Sequence, residues 1–105
     1  MANEEKTITG TLTYVYATGG VLRIREPNGQ EWHLRLLDAR YWATGAEYRA
    51  FKAALRVQKY VGRQVTAHIE HHSAFGWAIF GGSQIRLAEG AQKPKRGAAK
   101  RRRAR

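Results

Sequence analysis

The feature that most constrains the fold of this 105-residue chain is a β-hairpin signature between residues 21 and 37. Two runs of alternating apolar and polar residues, 21–26 and 31–37, flank Pro27-Asn28-Gly29, which suits a type I turn closed by a left-handed glycine. A three-residue loop sets the strand register, so each residue is assigned to one face of the hairpin. We expect Leu22, Ile24, Trp32 and Leu34 on the inner face, and Arg23, Arg25, Glu31, His33 and Arg35 on the outer face, with Arg25 opposite Glu31.

The first strand is predicted over residues 7–17, where Ile8, Leu12, Tyr14 and Tyr16 share one parity. We therefore expect both tyrosines in the core. Gly10 lies inside this run and is typical of a bulge or a tight bend. A bulge there would reverse the parity and expose the tyrosines beside the arginines of the hairpin.

A helix is predicted over residues 46–60, because the hydrophobic period changes after the hairpin. Thr44 and Glu47 have the spacing of a capping box, with Thr44 as the N-cap, and Gly62 is expected to end the helix. Its apolar stripe is expected to consist of Tyr48, Phe51, Ala54 and Leu55. Two further strands are predicted over residues 64–70 and 77–87, the second interrupted by Gly81-Gly82.

The expected fold class is mainly β with one helix, in the order strand–strand–strand–helix–strand–strand. This order resembles the OB-fold, a five-stranded Greek-key barrel with its helix between strands three and four. An Sm-like or SH3-like barrel is the nearest competitor, but it would not place a helix of this length there. We expect a disordered lead at 1–6, an OB-like barrel domain at 7–89 and a disordered Lys/Arg-rich tail at 90–105.

Charge is the strongest compositional signal, with 19 Lys and Arg against 8 Asp and Glu. Residues 93–105 hold eight of the basic residues and no acid, which indicates a polyanionic partner for the tail. The chain has no cysteine, which excludes disulfides and thiolate chemistry. The polar, acidic residues 1–5 do not form a secretory signal, and no apolar run is long enough for a membrane span. We therefore expect a cytoplasmic protein that does not bind membranes.

The resemblance to OB-folds implies that a single strand binds across the outer face of strands two and three, between the one–two and four–five loops. An ordinary charged surface exposed to solvent would have a similar composition. The candidate contacts are Arg23, Arg25, His33 and Arg35 on the hairpin, His72 and Phe75 in the four–five loop, Arg49, Lys52, Arg56 and Lys59 along the helix, and Lys93, Lys95, Arg96, Lys100, Arg101, Arg102 and Arg103 in the tail. Trp77 is expected instead to plug one end of the barrel.

Neither catalysis nor a metal or cofactor is expected. His68 and His72 would share a strand face but lie about 13 Å apart, which is too far for one ion. The eight acids are scattered, with no visible pairing for acid–base or two-metal chemistry. We expect a non-enzymatic protein that binds single-stranded DNA or RNA with low sequence specificity. The alternative is an adaptor or assembly protein, whose barrel binds a protein while its tail binds nucleic acid; the oligomeric state stays open.

Overall fold

A mainly β domain with one helix is formed by residues 4–88, the part of the chain that this computed structural model describes. The predicted basic tail lies outside the described residues. A short 3₁₀ helix, Gly82–Gln84, separates the last two strands. The elements are β1 (Glu5–Tyr16), β2 (Val21–Arg25), β3 (Glu31–Leu37), α1 (Ala46–Gln58), β4 (Gln64–His72), β5 (Gly76–Phe80) and β6 (Ile85–Leu87).

The strands close into a five-stranded barrel in the order β1-β2-β3-β5-β4, with β4 pairing back onto β1. All pairs are antiparallel except β3 with β5. Because β5 and β6 both pair with the edge of β4 that β1 leaves free, they act as one strand, interrupted after Phe80 as predicted. The predicted fold class is confirmed, with the helix between strands three and four, and this architecture is compatible with an OB-like barrel.

The predicted hairpin register is confirmed at all five β2–β3 pairs, including Ile24 opposite Trp32 and Arg25 opposite Glu31. Gly29 has a φ of 92°, and its N–H donates to the Glu26 carbonyl at 2.9 Å. The inward residues of the hairpin contribute much of the core, which also contains side chains from every other strand and from α1. Its largest fully buried members are Leu12, Leu22, Ile24, Leu34, Leu36, Val57, Val65, Ile69 and Ile79.

β1 differs from its prediction in two ways. It begins at Glu5, inside the predicted disordered lead, because Glu5 and Lys6 pair with Glu70 and Ile69 of β4. A bulge at Thr13 also shifts the register, so that both Thr13 and Tyr14 lie opposite one residue of β2.

The bulge reverses the inward parity of the second half of β1. Val15 is buried, whereas Tyr14 and Tyr16 are 42% and 51% exposed. The prediction that these tyrosines lie in the core is therefore wrong, and the alternative of exposed tyrosines beside the arginines is confirmed. The bulge lies at Thr13 and not at Gly10.

α1 begins and packs differently from the prediction. Its N-cap is Gly45, with a φ of 83° and no side-chain capping bond, so the assignment of Thr44 as N-cap is wrong. The helix lies so close to the barrel that small side chains face the core, namely Ala46, Ala54 and Val57. The predicted apolar stripe is consequently wrong in three of its members: Tyr48 and Leu55 are exposed and Phe51 is half-buried. The helix ends at Gln58, and turns continue to Gly62.

Candidate functional site

The outer surface of β1, β2 and β3 combines aromatic and basic side chains in transverse rows. Tyr14, Arg23 and His33 share one row because Tyr14 pairs with Arg23 and Arg23 pairs with His33. The guanidinium carbon of Arg23 lies 5.0 Å from the Tyr14 ring centre, which is a cation–π distance. The neighbouring rows carry Arg25 on one side, and Tyr16 and Arg35 on the other. We call this set, Tyr14, Tyr16, Arg23, Arg25, His33 and Arg35, the barrel face.

The three arginines of the barrel face carry charge that no described acid neutralises. None of the carboxylates in residues 4–88 lies within 4.0 Å of these guanidinium groups. Glu31 lies opposite Arg25 in the register, yet its Oε1 lies 4.0 Å from Nε2 of His33. The positive charge of the barrel face is therefore not balanced by an ion pair within the described residues.

A cluster of rings lies beside β5, where the loop between β3 and α1 meets the loop between β4 and β5. Tyr41 is its centre, with ring centroids 5.1 Å from Trp42, 5.5 Å from His72 and 5.2 Å from Phe75. Tyr41 also contacts Phe80 of β5. These five residues, Tyr41, Trp42, His72, Phe75 and Phe80, are called the loop cluster. Because β5 is paired with β3, the loop cluster adjoins the barrel face.

A hydrogen bond holds the two loops of the cluster together. The Tyr41 hydroxyl and His72 Nε2 are 3.1 Å apart, and His72 Nδ1 accepts the Ala74 N–H at 3.0 Å. Because Nδ1 is an acceptor, the neutral ring carries its proton on Nε2 and donates it to the Tyr41 oxygen. The structure thus brings the predicted residues His72 and Phe75 together around a tyrosine.

Tyr41 and Trp42 were missed by the sequence reasoning. Trp42 is 71% exposed, the largest exposed fraction among the large hydrophobic side chains described. The signal that could have found them is the presence of two adjacent aromatic residues in a polar loop. Trp77, which was expected to plug one end of the barrel, is partly buried against the core and packs edge-to-face on Trp32, at 5.4 Å, with the Lys6 ammonium over both rings.

A pocket of about 310 Å³ lies between the turn after β1 and the first turns of α1. Arg35 of the barrel face and Tyr41 of the loop cluster both line it, together with Gly20, Glu47 and Phe51. The pocket therefore connects the two surfaces at one end of the barrel.

The helix residues that were predicted as one basic stripe have two different environments. Arg49 binds other residues of the domain. Its Nε donates to Asp38 Oδ2 at 3.0 Å, and its Nη1 donates to the Thr44 carbonyl at 3.0 Å. Its Nη2 is buried and has no hydrogen-bond partner among the described residues. Lys52, Arg56 and Lys59 are exposed. Lys52 and Arg56 line a separate groove beside the 3₁₀ helix.

Asp38 anchors this arrangement from the end of β3. Partial desolvation acts to raise the pKa of Asp38, but hydrogen bonds from the Arg40 backbone N–H and the Arg49 guanidinium, with the charges of both arginines, lower the pKa below its ordinary value. The carboxylate is therefore ionised at neutral pH, where it neutralises Arg49.

The histidines of β4 have separate surroundings. His68 Nε2 lies 3.0 Å from Glu5 Oε1 and 3.9 Å from Glu70 Oε2. His71 packs on Trp77, and His72 belongs to the loop cluster. Within residues 4–88, no three His, Cys, Asp or Glu side chains are grouped so that they could hold a metal ion.

Comparison with protein-family models found no match to the chain, and comparisons with curated proteins and with solved structures found none either. Over the described part of the chain, no helix is long and apolar enough to cross a membrane. The predicted tail contacts from Lys93 to Arg103 lie outside the described residues.

Proposed function

We propose that this protein is a non-enzymatic, cytoplasmic nucleic-acid-binding protein of the OB-fold type, which binds single-stranded DNA or RNA with low sequence specificity. The observation that carries the proposal is the row of Tyr14, Arg23 and His33 on the barrel face, where cationic and ring side chains alternate across three strands. The strand order of the closed barrel, with its helix between β3 and β4, supports the same assignment.

A single strand presents stackable bases and charged phosphates together, and the barrel face offers a partner for each. Stacking of a base on an aromatic ring contributes about 1–3 kcal/mol and does not depend strongly on the base. An arginine can pair with a phosphate through two N–H groups or stack its plane on a base. Tyr14 and Tyr16 supply the rings, and Arg23, Arg25 and Arg35 the charges.

The loop cluster supports the proposal because it adds aromatic rings next to the barrel face. Trp42 presents a large exposed ring against Tyr41, which lines the same pocket as Arg35 of the barrel face, and Phe75 also packs on Tyr41. Low sequence specificity is expected because rings and guanidinium groups dominate these surfaces, whereas base reading requires donors and acceptors placed on base edges. The tail would add affinity without selecting a sequence.

The test uses the full-length chain in which the eight Lys and Arg residues from Lys93 to Arg105 are changed to Gln. In this tail-neutralised chain, only the binding of the domain is measured. Changing Arg23, Arg25 and Arg35 together to Ala should weaken binding to dT20 and rU20 in fluorescence anisotropy by tenfold or more. The dependence of log K on log salt should also fall by about 2, since each phosphate contact on a single strand contributes about 0.7.

The control is Arg86→Ala, which removes one exposed arginine on β6 and should leave both quantities nearly unchanged. The thermal midpoint of each variant shows whether it is folded. A folded triple variant that binds as tightly as its parent would contradict the assignment of the barrel face.

An adaptor function is the second candidate, and the exposure of Trp42 beside Tyr41 favours it. Tryptophan and tyrosine are enriched among the residues that dominate protein–protein binding energy. In that case the tail-neutralised chain would not bind oligonucleotides at all, and the full chain would bind single and double strands alike. Measurable binding of dT20 by the tail-neutralised chain would decide against it.

A further inference from the structure

A second basic groove lies between α1 and the 3₁₀ helix, away from the barrel face. It measures about 590 Å³, and its lining residues come only from these two elements. They are Tyr48, Arg49, Lys52, Ala53 and Arg56 of α1, with Gly82 and Ser83. We call it the helix groove.

The helix groove repeats the chemistry of the barrel face. The Lys52 ammonium lies 5.5 Å from the centre of the Tyr48 ring, and that tyrosine is 64% exposed. Neither Lys52 nor Arg56 has a carboxylate from residues 4–88 within 4.0 Å. A groove with two unneutralised cations and an exposed ring is complementary to a phosphate backbone with its bases.

Arg56 occupies space that a glycine of the 3₁₀ helix leaves free. Its guanidinium lies against Gly82, where a Cβ atom would be 2.4 Å from Arg56 Nη2 and 2.9 Å from the Ala53 Cβ. The absence of a side chain at residue 82 therefore leaves the space that the guanidinium occupies.

The two surfaces are centred on different elements of the fold. In the barrel order β1-β2-β3-β5-β4, the barrel face is centred on β2, whereas the 3₁₀ helix joins the two segments that pair with β4. The body of α1 also intervenes. Phe51 lines the pocket next to Arg35, and Arg56 lies about 140° further around the helix.

We propose that the helix groove binds the phosphate backbone of a second nucleic-acid segment, so that one molecule holds two separate strands at once. This inference rests on the proposed function of the barrel face and adds strand bridging to it. The charge of the groove favours a polyanion over an apolar protein segment.

The experiment measures bridging with two separate oligonucleotides. Donor-labelled and acceptor-labelled dT20 are mixed with the full-length, tail-neutralised chain, and energy transfer between them is recorded. Anisotropy of one labelled dT20 gives the single-strand affinity in parallel. The test variant is Lys52→Gln with Arg56→Gln, and the matched control exchanges the two residues, Lys52→Arg with Arg56→Lys, so that both charges remain.

The affinity of the test variant for one dT20 should stay within about twofold of the parent, whereas its energy-transfer signal should fall at least fivefold. The charge-conserving control should keep both the affinity and the energy transfer of the parent. Unchanged energy transfer in the test variant would overturn the proposal. An equal loss of affinity and energy transfer would overturn it too, since the groove would then belong to the same site as the barrel face. If the parent binds no dT20, the proposed function itself fails.

Discussion

Gly10 shows most directly how one residue permits the closure of the barrel. It pairs with Val65 of β4 and directly precedes Thr11, which pairs with both β4 and β2. Gly10 is buried, and a Cβ there would lie 2.4 Å from the Arg25 carbonyl oxygen and 2.8 Å from its carbon. Because these are backbone atoms, they cannot turn aside as the end of a side chain would.

Gly10→Ala is therefore expected to reduce the free energy of unfolding by about 3 kcal/mol, at the upper end of the usual cost of overpacking. Urea denaturation gives the measurement. The matched control is Gly29→Ala in the hairpin turn, where a Cβ meets nothing within 4 Å and only the φ of 92° is unfavourable. That change should cost about 1 kcal/mol. Equal costs would show that the contact with Arg25 relaxes.

The ion pair of Asp38 with Arg49 predicts a pH-dependent stability. The folded-state pKa of Asp38 lies below its ordinary value of 3.8. The ion pair therefore stabilises the fold fully at pH values above 3.8, and this stabilisation is lost as the pH falls through the folded-state pKa. Asp38→Asn should lower the thermal midpoint at pH 7, and the difference from the parent should shrink as the pH falls below about 4. Thermal unfolding followed at several pH values measures this, and a constant difference down to pH 3 would contradict it.

At the scale of whole elements, the hairpin was fully predictable and β1 was not. The Pro27-Asn28-Gly29 turn and the alternating polarity of its strands both determine the same local register, so no distant contact was needed. The parity of β1 depends instead on a bulge at Thr13, which forms where the strand follows the curvature of the barrel. No residue type near Thr13 marks that position in the sequence.

The start of α1 was misjudged for a related reason. Thr44 and Glu47 have capping-box spacing, but Gly45 adopts a left-handed conformation and Arg49 binds the Thr44 carbonyl. Tertiary contact with Asp38 thus replaced a local capping motif. The candidate site was predictable in part. The outward arginines followed from the hairpin, whereas the exposure of Tyr14 and Tyr16 depended on the bulge at Thr13. The Tyr41–Trp42 pair was marked in the sequence only by two adjacent rings in a polar loop.

The exposed tyrosines of β1 give a test that separates stacking from charge. Changing Tyr14 and Tyr16 together to Ala should weaken binding of the tail-neutralised chain to dT20 by at least tenfold, since each stacked base contributes about 1–3 kcal/mol. The salt dependence should stay the same, because no phosphate contact is removed. Changing both to Phe keeps the rings and should preserve the affinity. Loss of affinity with Phe as well would point to the hydroxyl groups instead of stacking.

At the scale of the whole molecule, the net charge is concentrated in residues 93–105. This segment has eight Lys or Arg and no acid, so it contributes +8 of the formal net charge of +11. Changing all eight to Gln should reduce the dependence of log K on log salt for dT20. The reduction would be at most about 5.6, which is reached if every one of the eight charges contacts a phosphate. The thermal midpoint should change by less than about 2 °C, because the apolar residues of this segment are only alanines and one proline. An unchanged salt dependence would show that the tail does not contact the strand.

The divided pairing of β1 has a consequence for how the protein reaches its fold. The second half of this strand joins β2 across a short turn, but the first half joins β4, so that Glu5 meets Glu70. On the ribosome, the meander of β1, β2 and β3 can assemble while the first half of β1 still has no neighbour. Contacts of such long sequence separation are slow to form, because the intervening chain must be ordered before they stabilise anything. We therefore expect the closing of the barrel to be a late event in folding, and until it occurs one edge of the nascent sheet would be open to pairing with other chains.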